Sequence, residues 1–130
     1  MESVVIALLV LTILPISCAW VAAYHKQKQF GNVDNKNPRT QSAQLSDAGS
    51  RAVAAQGNSW EALAIFSAAV LALVVAGVDL AQVSTLALVY VALRIVYIPL
   101  YLADQDKLRS LVFIAGFGIC IYFFILALRA

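Results

Sequence analysis

The chain has 130 residues, 62% of them hydrophobic and 12% charged, with a formal net charge of +2. Soluble domains carry roughly a quarter charged residues, so a water-soluble enzyme, a disordered chain and a nucleic-acid-binding protein are all set aside. A mean hydropathy of +0.85 points instead to an integral membrane protein, and the length points to one domain.

Val4 to Tyr24 is a run of 21 residues without a formal charge. As a helix it rises about 32 Å, enough to cross a bilayer core of about 30 Å. A cleaved signal peptide would need a positive leader, but the sequence opens Met1-Glu2-Ser3. Pro15 lies inside the run, which a membrane helix tolerates. Residues 25–47 form a polar, extramembrane loop carrying turn signals at Gly31-Asn32 and Asn37-Pro38. Ser46 or Asp47 is placed to cap the second helix, expected over 48–76. Gly77-Val78-Asp79 reads as a tight turn, and Asp79-x-x-Gln82 as a capping box for a third helix over 80–102. That helix contains Arg94 and Pro99. A polar link, Asp104 to Lys107, leads to a fourth helix over 108–128. The expected architecture is an all-α, integral membrane four-helix bundle.

Lys26, Lys28, Lys36, Arg39 and Arg51 fall on the loop side of the first two helices, and Lys107 and Arg109 on the second link. Only Arg129 falls at the opposite face. The positive-inside rule then puts both loops in the cytoplasm and both termini outside it. Cys18 and Cys120 lie in apolar runs and read as small packing residues, not a disulfide. With a single histidine, His25, no metal site is expected.

Two ionisable groups interrupt the apolar segments, Glu61 and Arg94. A charge in hydrocarbon is costly and seeks a partner inside the bundle. Glu61 stands 17 residues before Val78, about 25 Å along its helix, and Arg94 stands 16 residues after it, about 24 Å. Matching heights predict a Glu61–Arg94 ion pair. Arg51, Asn58 and Glu61 share one helix face, and Arg94, Tyr97 and Tyr101 share another. These residues make a polar cluster open towards the positive side. Pro99 frees a carbonyl near Ile95, which would open the helix beside the cluster. Asn and ion pairs also serve membrane bundles as interhelical glue, and tyrosines also mark bilayer boundaries.

The segments Arg51-Ala-Val-Ala-Ala-Gln-Gly-Asn58-Ser-Trp-Glu61 and Arg94-Ile-Val-Tyr97-Ile-Pro99-Leu-Tyr101, followed by Leu108-Arg109-Ser110, resemble the signatures of the MAPEG family. These are membrane-associated proteins in eicosanoid and glutathione metabolism, and the sequence looks most like their small bacterial members. The resemblance implies a homotrimer in the bacterial inner membrane, with glutathione as co-substrate between protomers near the cytoplasmic side. It implies a glutathione transferase or peroxidase acting on lipophilic small molecules arriving from membrane lipid. Carried over by position, Arg51, Asn58, Glu61, Arg94, Tyr97 and Tyr101 would bind the peptide, and Arg109 would activate its thiol. Two positions depart from the pattern of glutathione-using members: Ala54, often Arg, and Ala62, often Tyr. They keep a second reading open, a non-catalytic lipid-binding or scaffolding protein. A proton-coupled exporter using Glu61 is a third, against which stands the strong charge bias.

Overall fold

The computed structural model describes the whole chain, Met1–Ala130, as an all-helical bundle. Its helices are α1 (Glu2–Phe30), α2 (Pro38–Ala43), α3 (Asp47–Val75), α4 (Ser84–Leu102) and α5 (Asp106–Arg129). A short 3₁₀ turn, Leu80–Val83, leads into α4. Four helices are long and apolar enough to cross a membrane: α1, α3, the 3₁₀ turn with α4, and α5. Around the bundle they stand in the order α1, α3, α5, α4, with α3 also touching α4 across one diagonal.

The seam of each helix follows a three- and four-residue spacing, the period of a helix that buries one stripe. On α1 it is Val4, Ala7, Leu11, Pro15, Cys18 and Ala22. On α3 it is Ala52, Ala55, Ser59, Ala62, Phe66, Ala69 and Leu73. The many alanines let neighbouring backbones approach closely, as membrane bundles require where lipid supplies no hydrophobic drive between helices. Phe66 anchors the core by stacking on Tyr90 at 4.6 Å and meeting Phe123 at 6.0 Å. The outer faces remain apolar, with Leu9, Ile13, Leu71, Val75, Ile114 and Leu128 exposed. Such a surface is solvated by acyl chains.

The helix ends are set by local chemistry. Gly77, at φ 74°, closes α3 in a Schellman motif: its N–H donates to the Val74 carbonyl and that of Val78 to the Leu73 carbonyl. Asp79 caps the 3₁₀ turn by accepting from the Ala81 N–H at 3.0 Å. Gln82 does not complete a reciprocal box; only its backbone N–H returns, to the Asp79 carbonyl. At the start of α3 neither Ser46 nor Asp47 supplies the side-chain cap expected there. Instead the Gln29 side-chain oxygen accepts from both the N–H and the hydroxyl of Ser46.

The polar segment is more structured than a loop over 25–47. α1 runs on to Phe30, where Gly31 at φ 77° ends it, and α2 occupies Pro38–Ala43. At 29 residues each, α1 and α3 rise about 44 Å and project beyond a bilayer core of about 30 Å. Buried Lys26 donates to the Pro38 carbonyl at 2.9 Å. Gln41 accepts from the Asp34 N–H and donates to the Asn32 carbonyl. Asp34 accepts from the N–H groups of Lys36 and Asn37. The bond from Asn37, with that from Lys36 beside it, holds the Asp34 carboxyl below its ordinary range.

Candidate functional site

The α4 seam changes chemistry partway along. Ala87, Tyr90, Val91, Arg94 and Tyr97 are its buried residues, so an arginine stands where the pattern calls for an apolar residue. Arg94 is only 3% exposed. Its Nη2 donates to the Asn58 side-chain oxygen at 2.8 Å and approaches the Asn58 carbonyl at 3.5 Å. The same Asn58 amide donates from its nitrogen to the Glu61 carboxylate at 3.5 Å.

The direct Glu61–Arg94 ion pair is therefore not formed. Asn58 stands between the two groups, using its acceptor for one and its donor for the other. One reason is the height. The 3₁₀ turn rises about 2.0 Å per residue against 1.5 Å in an α-helix, which lifts Arg94 by about 2 Å towards the level of Asn58. Glu61 itself is exposed on the outside of the bundle.

Beyond Arg94, two tyrosines stand between two arginines. The Arg94 guanidinium lies 4.2 Å from the Tyr97 ring centre. Tyr97 meets Tyr101 edge-on at 5.6 Å. Arg109, entering from the first turn of α5, lies 4.1 Å from the Tyr101 ring centre. Each cation sits over an aromatic face, which attracts it without neutralising it. The row from Tyr97 to Arg109 forms part of a cavity of about 380 Å³ lined by Asn58, Tyr97, Tyr101, Arg109, Ser110, Phe113 and Ile114.

Four of the residues singled out from the sequence thus meet in one cavity: Asn58, Tyr97, Tyr101 and Arg109. Arg94 lies behind it, holding Asn58. Arg51 takes another position. Its Nε donates to the Leu102 carbonyl at 3.0 Å, tying α3 to the end of α4, where a cation also suits the helix dipole. Pro99 does not interrupt α4, which continues to Leu102. Phe113 and Ile114 were not singled out; in sequence they are two apolar residues among many on α5. Ser110, quoted beside Arg109, lines the cavity with them.

The arrangement is that of a polytopic membrane protein with an uncompensated guanidinium lining a half-polar, half-apolar cavity. The chain belongs to the MAPEG family, whose model matches residues 3–129. No curated protein and no solved structure matches it.

Proposed function

We propose that the protein is a glutathione-dependent transferase or peroxidase for lipophilic electrophiles. The observation that carries the reading is Arg109 in the wall of the cavity, stacked on Tyr101 and not spent on a carboxylate. Glutathione brings a nucleophilic thiol. An ordinary thiol titrates near 8.5, and a neighbouring guanidinium favours its thiolate. Arg109 is the residue placed for that work. Asn58, held by Arg94, offers amide hydrogen bonding to the peptide. Tyr97 and Tyr101 line the same cavity and bring hydroxyl groups able to donate. Phe113 and Ile114 form the apolar side, against which an electrophile entering from the bilayer would rest. Glu61 faces out of the protomer, where a glutathione ammonium or a neighbouring copy in a homotrimer would meet it. Arg51 supports the site from behind through α4. The loop end lies in the cytoplasm of a bacterial inner membrane in this reading.

Calorimetry of the detergent-solubilised protein with glutathione tests it, together with the thiolate absorbance. We expect binding at or below millimolar concentration. Arg109→Ala should lower the thiolate signal and the turnover by about tenfold or more at pH 7. No binding at millimolar glutathione rejects the reading.

The second reading is a lipid-binding protein without turnover. It is favoured by Ala54 and Ala62, which offer no polar group to a peptide. It predicts co-purifying lipid and no conjugation of an aromatic electrophile, and robust conjugation excludes it.

A further inference from the structure

Beside the Arg94–Asn58 contact lies a small, partly enclosed chamber that the glutathione reading does not use. Its walls include Arg94, Tyr90, Ala62, Gly116, Phe113 and Phe117, and its free volume is about 10 Å³. That is room for one water molecule and nothing larger. Arg94 has spent Nη2 on Asn58, but its Nε–H, fully buried, has no acceptor in the protein. Tyr90, also 3% exposed, donates its hydroxyl hydrogen to the Ala62 carbonyl at 3.1 Å. Its oxygen can still accept. An unpaired donor on a charged group is costly in a low-dielectric interior, and here an acceptor with two lone pairs, one of them within reach of the Cys120 thiol, shares its chamber.

We propose that this chamber is a binding site for a single structural water, which accepts from the Arg94 Nε–H and donates to the Tyr90 hydroxyl oxygen. The water fixes the guanidinium in the orientation that aims Nη2 at Asn58. Gly116 keeps the space. A Cβ there would stand 3.3 Å from Cε2 of Tyr90, so a larger residue presses on the ring and takes the volume. Phe113 lines both this chamber and the larger cavity, so the two are neighbours. The inference holds whether or not glutathione is the ligand next door.

The test is an experimental density map of the full chain in lipid nanodiscs, at a resolution that shows ordered water, for the unsubstituted protein and for Gly116→Ala. We expect a peak about 2.7–3.2 Å from Arg94 Nε in the first and none in the second. A melting comparison of Gly116→Ala with Gly116→Ser adds an independent arm. Both press on Tyr90 alike, but only serine brings an oxygen in place of the water. Gly116→Ser should melt about 3 °C above Gly116→Ala. A map without density at Nε overturns the proposal, as does a serine variant no more stable than the alanine one. Should neither variant fold, the map of the unsubstituted protein decides alone.

Discussion

A guanidinium at 3% exposure needs acceptors, and Asn58 supplies the nearest at 2.8 Å. Removing that acceptor leaves a buried charge with less compensation than its desolvation requires. Asn58→Ala should therefore destabilise the bundle by about 2–3 kcal/mol in thermal melts. Glu61→Gln should cost less than about 1 kcal/mol, because Glu61 is exposed and touches the cluster only through a 3.5 Å contact. Equal losses for the two variants would restore a direct ion pair. The sequence contained all three residues and placed them at one end of the bundle. Which neighbour Arg94 chooses depends on a shift smaller than one helical turn, and residue counting cannot resolve that. Asp34 poses a simpler question of sign. Its carboxyl titrates below the ordinary range because the ionised form accepts the Asn37 and Lys36 N–H groups. The stabilisation of that turn is complete above the unfolded carboxyl range, near pH 4. It is lost as pH falls through the lower, folded value. A carbon-13 titration of the Asp34 carboxyl should place its midpoint below that of a model peptide, and a midpoint at or above it would contradict the turn geometry.

At the scale of the elements, two links end their helices in the same way with different residues. After α3, Gly77 takes the left-handed position of a Schellman motif. After α4, Asp104 takes the equivalent position at φ 59°, while the Gln105 N–H donates to the Leu100 carbonyl at 2.9 Å. Aspartate tolerates this conformation better than most residues, but glycine adopts it without penalty. Asp104→Gly should stabilise the protein by about 0.5–1 kcal/mol, and Gly77→Ala should destabilise it by about 1 kcal/mol, both read as shifts in melting temperature. An Asp104→Gly variant that melts lower would mean that the side chain supports the link in some other way. The glycine-ended turn was legible because glycine is the usual residue there. The link with Asp104 read only as polar. The continuation of α1 to Phe30 was hidden for a related reason: His25 to Gln29 are polar, and polarity marks where the membrane stops, not where the helix stops. Once outside the bilayer, α1 is held by Lys26 and Gln29, whose partners lie 12 and 17 residues away in sequence.

The whole molecule concentrates its positive charge at one end. Lys26 and Lys28 close α1, Lys36 and Arg39 lie in the first connection and its short α2, Arg51 stands near the start of α3, and Lys107 and Arg109 open α5. Both connections sit at the same end, since Arg51 bonds to Leu102 and Arg109 stacks on Tyr101. Arg129 is the only cation at the far end. Retention of Lys and Arg on the cytoplasmic side orients membrane helices through just such short segments. We expect the cavity end to face the cytoplasm and both termini to face away. A cysteine introduced at Asn35, at the exposed tip of the first connection, reports this directly. A membrane-impermeant maleimide should label Asn35→Cys only after the cells are opened. Background is low by construction, because Cys18 and Cys120 are 1% and 0% exposed. Labelling of intact cells at position 35 would reverse the orientation. The cavity would then open where the glutathione pool is thin, and the reading of Arg109 as a thiolate-stabilising residue would lose its physiological setting.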